Sequence, residues 1–236
     1  MLDELSVKIF ADGADLDGIL ALSEHPHISG FTTNPTLMWK AGLTNYEDFA
    51  LRLLERITKL PISFEVFADD ADEMRRQARL IHAWGSNVYV KIPVTTTSGE
   101  SMAPLVRELS EDGVQVNVTA LFTTAQVELI TSAVKDGAPS FISVFAGRIA
   151  DAGVDPVPIM AKAVDIMLDA PRSELIWASP REILNVVQAD QVGCHVITVT
   201  HEMLEKLSSL GKDLEQFSLE TVQMFRRDAL AAGFML

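Results

Sequence analysis

Eight strand-like runs alternate with eight amphipathic segments, and this alternation predicts an α/β fold: a single (β/α)8 barrel with one additional C-terminal helix. Two further observations favour the barrel over its main rival, an open doubly wound sheet. No Gly-rich phosphate loop follows any strand; there is neither a G-x-G-x-x-G nor a Walker sequence. No low-complexity stretch or long linker interrupts the pattern, so residues 1–236 read as one barrel domain with 212–236 as a helical extension.

The strand-like runs fall at residues 7–12, 30–34, 62–67, 88–94, 114–122, 141–146, 174–179 and 195–200. Each is short, apolar and bounded by turn or helix-start residues. Helical patterns fill the gaps at 15–23, 46–58, 70–84, 101–111, 123–135, 156–169, 181–188 and 201–207. The segment 70–84 illustrates the spacing: Met74, Ala78, Ile81 and His82 share one face, and Arg75, Arg76 and Arg79 face outward. Beyond the eighth unit, residues 214–230 place Leu219, Val222, Phe225, Ala229 and Leu230 on an apolar face. This helix is expected to cap the barrel or to reach a neighbouring subunit.

Composition excludes several functions. Nearly half the residues are apolar, enough for a sizeable core, and the formal net charge of −14 argues against a polyanion-binding surface, so no nucleic acid partner is expected. A phosphorylated small molecule remains compatible, because one or two local arginines hold a phosphate whatever the global charge. Cys194 is the single cysteine, which rules out an intrachain disulfide and fits a cytosolic setting; its place before an apolar strand suggests a buried, inert thiol. No apolar run approaches the roughly 20 residues of a membrane span, so no membrane partner is expected. The acidic start Met1-Leu2-Asp3-Glu4-Leu5 is unlike a signal peptide, and a cytoplasmic location is the expectation.

Lys91 is the most informative residue. It is the only charge in the run 87–95, with Val88, Val90, Ile92 and Val94 on one parity and Tyr89, Lys91, Pro93 and Thr95 on the other. A buried ammonium costs several kcal/mol to desolvate, so it must give up its proton or find a partner. A partly neutral lysine is what Schiff-base chemistry on a carbonyl requires. A salt-bridged or snorkelling lysine at a strand end is the alternative for this residue alone.

The neighbouring strands decide between them. In such barrels the site lies at the C-terminal strand ends, and unlikely polar residues gather there. They are Asp12, the run Thr32-Thr33-Asn34-Pro35, Glu65, Lys91, Asn117 and Thr119, Ser143 with Arg148, and Ser179. Phe10 and Asp12 share a side, as do Thr32 and Asn34, Ser63 and Glu65, and Asn117 and Thr119. Asp12 alone could be a helix N-terminal carboxylate and Thr119 an inert strand threonine. An unpaired Glu65 inside an apolar run would be costly, however, and the set together reads as a site. It suits carbon–carbon bond making and breaking beside a ketone. Lys91 would form an imine, Asp12 or Glu65 would take the proton from the departing hydroxyl, and arginine beyond strands six and seven would hold a phosphate.

These residues, in this order, resemble the transaldolase family, which includes small transaldolases and fructose-6-phosphate aldolases. The most specific pieces are Gly30-Phe31-Thr32-Thr33-Asn34-Pro35 and Val90-Lys91-Ile92-Pro93-Val94-Thr95. Phe10-Ala11-Asp12, Asn117-Val118-Thr119, the run 143–148 and the run 212–217 support them. The resemblance implies Lys91 as the imine-forming lysine, Asp12 as the acid/base, and Glu65 with Thr119 holding the catalytic water. Asn34, Asn117 and Ser143 would bind the dihydroxyacetone half, with Thr33 and Phe145 also at the substrate, and Arg148, Ser179 and Arg181 the phosphate. It implies no metal and no organic cofactor. It also implies a homo-oligomer, pentameric or decameric as in small members or dimeric as in longer ones. Pro180 stands between Ser179 and Arg181 where the family commonly has a bulky residue, a difference that bears on where Arg181 points. Gly13 follows Asp12 where a small hydroxyl residue is usual.

Within the family, transferases pass a dihydroxyacetone unit to an aldose phosphate, and aldolases release it. True transaldolases resemble this chain in carrying Glu at the strand-three position and Phe at the strand-six position, here Glu65 and Phe145; the aldolases tend to have Gln and Tyr. The expectation is therefore transfer from sedoheptulose 7-phosphate to glyceraldehyde 3-phosphate, giving erythrose 4-phosphate and fructose 6-phosphate in the pentose phosphate pathway. The rivals are a fructose-6-phosphate lyase and a barrel that binds sugar phosphates without chemistry, the fold alone being silent on which.

Overall fold

A computed structural model describes residues 2–235. Eight parallel strands close into a barrel in sequence order: β1 Lys8–Asp12, β2 Ile28–Thr32, β3 Ile62–Glu65, β4 Val88–Pro93, β5 Val116–Leu121, β6 Ser140–Val144, β7 Ser173–Trp177 and β8 Val196–Thr200. The fold is the expected (β/α)8, or TIM, barrel. Helices follow the strands: α1 Leu16–Leu22, α2 Pro35–Lys40, α3 Tyr46–Leu54, α4 Ala71–His82, α5 Ala103–Glu111, α6 Thr124–Val134, α7 Ala146–Asp151, α8 Pro156–Met167, α9 Leu184–Gln191, α10 His201–Lys206 and α11 Leu214–Ala231.

The two short helices α2 and α7 are absent from the sequence reading. Both start where a strand hands over to the mouth of the barrel. Asn34 caps α2 by accepting from the Leu37 N–H at 2.9 Å, with Pro35 at the first helical position. α7 begins directly after Phe145, inside the run 141–146 read as strand, because six or seven residues show too little periodicity to separate the two. Elsewhere the differences are end effects: Asp70 and Thr123 are N-caps of α4 and α6, accepting from Glu73 and Gln126 N–H groups, rather than first helical residues.

The main core lies between the strands and the helices, where Val90, Ile92, Val118 and Ile142 on the outward parity meet Met74, Ile81, Leu109 and Ile130. A second cluster fills the barrel itself: Phe10, Phe141, Ile176, Ala178 and Val196, with Tyr89 and Phe145 against them. Phe10 and Phe141 meet edge to face, with ring centroids 5.3 Å apart. Lys8 and Glu174 form an ion pair at the other end of the barrel, Lys8 Nζ lying 2.6 Å from Glu174 Oε1. The apolar plug therefore lies in the N-terminal half of the barrel, and the polar residues are left at the mouth.

Gly30 is required by that plug. A Cβ at this position would lie 2.6–2.8 Å from three ring atoms of Phe10, which is itself locked in the barrel interior. Cys194 is buried, and burial pushes its thiol up to about 12, as suits an inert side chain. α11 behaves differently from the other helices. It buries none of its residues, and Phe217, Leu219, Val222, Phe225 and Leu230 are exposed. It is therefore not a cap packed on its own barrel. Among the described residues, no helix is long and apolar enough to cross a membrane.

Replacing Gly30 by Ala is expected to cost about 1–3 kcal/mol, since the added methyl must displace a buried ring. Urea unfolding reads this directly, and an unchanged midpoint would show that the Phe10 ring can move aside.

Candidate active site

The barrel mouth encloses a cavity of about 390 Å³. Nine of the twelve residues expected to have catalytic or substrate-binding roles stand in its wall: Asp12, Asn34, Glu65, Lys91, Thr119, Ser143, Phe145, Arg148 and Ser179, with Thr32 and Pro35 beside them. Three do not. Thr33 and Asn117 are fully buried behind the wall, and Arg181 lies outside it.

Lys91 projects from β4 into the barrel because it shares the inward parity with Tyr89 and Pro93. Its neighbour across the β3–β4 ladder is Glu65, and the two side chains meet at 2.8 Å between Nζ and Oε1. Both are nearly inaccessible, with side chains 10% and 7% exposed, so this is a buried ion pair rather than a rim contact. Lys91 Nζ also donates to the Thr33 carbonyl. The snorkelling alternative is thereby excluded for Lys91, while the salt-bridged one is realised inside the cavity wall.

Glu65 is held from every side. Thr33 Oγ1 donates to Glu65 Oε2 and to the Ser63 carbonyl, at 2.9 Å from each. The Tyr46 hydroxyl accepts from the Glu65 N–H at 2.6 Å and lies 3.4 Å from Oε2. Sequence reasoning missed Tyr46: it opens an amphipathic helix, and nothing local marks it as a carboxylate partner. The rings of Phe64, Phe67 and Trp84 enclose it. Burial, and secondarily the Glu65 charge, push its phenol well above its ordinary value, so it stays protonated.

Asp12, at the end of β1, accepts from Thr32 Oγ1 at 2.8 Å on Oδ1 and from Asn34 Nδ2 at 3.0 Å on Oδ2. Desolvation raises the carboxyls of both Asp12 and Glu65 above their ordinary values, and the Lys91 charge opposes the rise in each. Each is thus poised to hold a proton more readily than a surface carboxylate, a property of groups that exchange one.

Across the barrel, Asn117 donates to Ser63 Oγ at 2.9 Å and accepts from Ser143 Oγ at 2.7 Å, linking β3, β5 and β6 beneath the cavity. Thr119 is followed by Ala120 at φ 64°, where one extra residue on β5 breaks its register with β6. A bulge of this kind re-aims the adjacent side chain. Ser179, at φ 57°, is the other non-glycine residue in the left-handed region among those described. Its carbonyl lies where a Cβ on Gly147 would stand, 1.5 Å away, so only glycine fits there. The Arg148 guanidinium sits 5.1 Å from the Phe145 ring centroid. Arg181 instead pairs with Asp151, its Nε 3.0 Å from Oδ1. Among the described residues, no group of three or more His, Cys, Asp or Glu side chains is arranged to hold a metal ion.

Fold and cavity together define a (β/α)8-barrel protein with a lysine- and carboxylate-bearing site at the C-terminal ends of its strands. Residues 9–235 match the family described as transaldolase/fructose-6-phosphate aldolase, and the chain belongs to that family. A probable transaldolase of Herpetosiphon aurantiacus is 33% identical over 222 residues, covering 92% of this chain and 96% of the relative. Probable transaldolase 2 of Listeria monocytogenes is 36% identical over 205 residues, covering 86% and 89%. Among solved structures, dihydrodipicolinate synthase from Rhodopseudomonas palustris is similar with a TM-score of 0.59 at 16% identity. It covers 82% of this chain and 69% of that one, a likeness of fold alone.

Removing the ammonium should leave Glu65 buried without its counter-charge. In Lys91→Met the folded-state pKa of Glu65 rises further above its unfolded value, so its contribution is fully present below the unfolded value and lost as pH rises through the folded one. The variant is expected to lose about 3–5 kcal/mol against the wild type at about pH 8 and clearly less at about pH 5. Urea unfolding at both values tests this; equal losses would mean that Glu65 carries no buried charge.

Proposed function

We propose that the protein is a transaldolase, moving a dihydroxyacetone unit between ketose and aldose phosphates through an imine on Lys91. The observation that carries the reading is the buried Lys91–Glu65 pair, set beside Asp12 in a cavity of sugar-phosphate size, in a chain of this family.

The pair supplies the proton balance that imine formation needs. Transfer of one proton from Lys91 to Glu65 leaves a neutral amine and a neutral carboxylic acid, which share the site without a buried charge. The amine attacks the ketose carbonyl, and the carbinolamine hydroxyl leaves as water after taking a proton from Glu65, directly or through water held with Thr119, so that the iminium forms beside the Glu65 carboxylate. Asp12 then removes the proton of the hydroxyl next to the breaking bond. The electrons of that C–C bond enter the iminium, the aldose departs, and an enamine remains. When an acceptor aldehyde arrives the sequence runs backwards, Asp12 returning its proton to the new alkoxide. Arg148 and Ser179 are suited to the phosphate, and Asn34 and Ser143 to the hydroxyls of the bound unit, with Asn117 and Thr33 acting through the residues they hold.

Phe145 favours transfer over release. It lies in the cavity wall against Phe122, ring centroids 5.9 Å apart, and offers no proton. An enamine beside a hydrocarbon ring persists until an acceptor adds. Replacing Phe145 by Tyr is therefore expected to raise release of free dihydroxyacetone relative to transfer by about tenfold or more; an unchanged ratio in product analysis would remove Phe145 from this role. The same reading includes sedoheptulose 7-phosphate, glyceraldehyde 3-phosphate, fructose 6-phosphate and erythrose 4-phosphate as substrates and products. It also includes the pentose phosphate pathway, a cytoplasmic location, the chain working as one domain, and homo-oligomer assembly through the exposed apolar face of α11.

The deciding experiment is product analysis from fructose 6-phosphate with and without erythrose 4-phosphate. Sedoheptulose 7-phosphate and glyceraldehyde 3-phosphate formed only with the acceptor support transfer; rapid free dihydroxyacetone without it makes the protein a lyase. Lys91→Met is expected to abolish turnover and borohydride trapping of the ketose while keeping the fold, and full activity in that variant would sink the imine.

A further inference from the structure

Strand β8 contributes no residue to the site as the sequence reads it, yet Thr198 stands in the cavity wall. Its side chain is nearly buried, and its hydroxyl lies 2.8 Å from Thr32 Oγ1, the same atom that donates to Asp12 Oδ1 at 2.8 Å. The barrel brings the three together because β1 lies between β2 and β8. Asp12 pairs with Thr32 on one side, and Phe10, one inward step below, pairs with Thr198 on the other.

A hydroxyl carries one proton and can accept as well as donate. While Asp12 is ionised, Thr32 gives its proton to the carboxylate and must accept from Thr198. When Asp12 carries a proton on Oδ1, the same atoms run the other way: Asp12 donates to Thr32, and Thr32 to Thr198. The second carboxylate oxygen has no such freedom. Asn34 Nδ2 donates to Oδ2, and Asn34 Oδ1 is engaged by the Leu37 N–H, so the amide cannot turn over.

The geometry points to Thr198 as a positioning residue: through Thr32 it forms a two-hydroxyl chain that reverses with the protonation state of Asp12 and supports both halves of the acid/base cycle. The inference rests on the reading of Asp12 as the base of a transaldolase. The protons balance within the site. One moves from the substrate hydroxyl to Asp12 and later returns to the new alkoxide, and the two threonines only reorient their own. The charged groups sharing the cavity with Asp12 are Lys91 on β4, Glu65 on β3 and Arg148 on α7. Asp15, the N-cap of α1, and Asp17 on α1 are exposed, as are His201 and Glu202 on α10, paired with Glu205 and Lys206.

Thr198→Val keeps the shape and removes the hydroxyl. Its kcat for transfer is expected to fall about five- to twentyfold while KM moves less than about twofold. The acid limb of the kcat profile should shift upward by about half to one pH unit, because the ionised carboxylate loses support and Asp12 protonates more readily. Thr198→Ser should restore both. Borohydride trapping on Lys91 should stay at the wild-type extent in every variant, since forming the imine does not use Asp12. Should the valine variant fail to fold, Thr198→Ala is read by the same measures. Wild-type kcat with an unmoved acid limb, a change confined to KM, or a serine variant as slow as the valine one each overturns the proposal. A wild-type protein that traps no ketose phosphate overturns the functional reading beneath it, and that result is visible before any variant is made.

Discussion

The buried Lys91–Glu65 contact is the constraint around which the barrel mouth is arranged. Two opposite charges withdrawn from water are tolerable only if each also meets its remaining hydrogen-bonding demand. The surrounding contacts supply this. The Thr33 carbonyl takes a second proton of the ammonium, and the Thr33 hydroxyl and Tyr46 serve the carboxylate and its backbone. Residues 32–34 therefore serve both carboxylates at once: Thr32 and Asn34 face Asp12, and Thr33, on the opposite parity, faces Glu65 and Lys91. The turn from β2 into α2 is the joint between the two carboxylates of the site.

That arrangement depends in turn on the apolar half of the barrel. The Phe10–Phe141 plug fixes the depth at which the polar layer begins, and Gly30 makes room for it. The two lysine–glutamate pairs at opposite ends of the barrel differ for this reason. Lys8–Glu174 lies below the plug with side chains 43% and 33% exposed, where solvent screens it and its worth is small. Lys91–Glu65 lies above the plug in a nearly closed space, where little solvent screens the two charges from each other.

Electrostatics at the rim are local rather than global. The chain is strongly acidic, yet the cavity wall carries Arg148, and the segment that follows β7 is strained at Ser179 to pass Gly147. Strain in a left-handed serine costs on the order of 1–3 kcal/mol and persists where the surrounding structure imposes it. Arg181, two residues on, is turned to Asp151, which the guanidinium holds below the ordinary carboxylate range. The cavity thus presents one guanidinium from α7 in its wall, with the second engaged at the outer surface.

Much of this was legible in the sequence, for a definite reason. Strand and helix periods differ, so eight alternations without a Gly-rich phosphate loop favour a barrel over an open sheet, and a period of two assigns each polar residue to the inside or the outside. Asp12, Glu65, Lys91, Thr119 and Ser143 could be gathered into one site on that basis alone, and the apolar face of α11 was equally visible, although only the structure shows that its own barrel leaves that face uncovered. Contacts between elements distant in the chain were not. Nothing near residue 46 announces that its hydroxyl will meet Glu65, and nothing near residue 198 announces a link to Asp12 through Thr32. Thr33 and Asn117 lie in motifs that point to the site, yet they serve it from behind the wall, and Arg181 leaves it for a partner thirty residues away. The sequence by itself determined which side chains face the axis, because parity is a local property. The tertiary structure decided which of them touch, because hydrogen-bond partners are set by barrel closure and register.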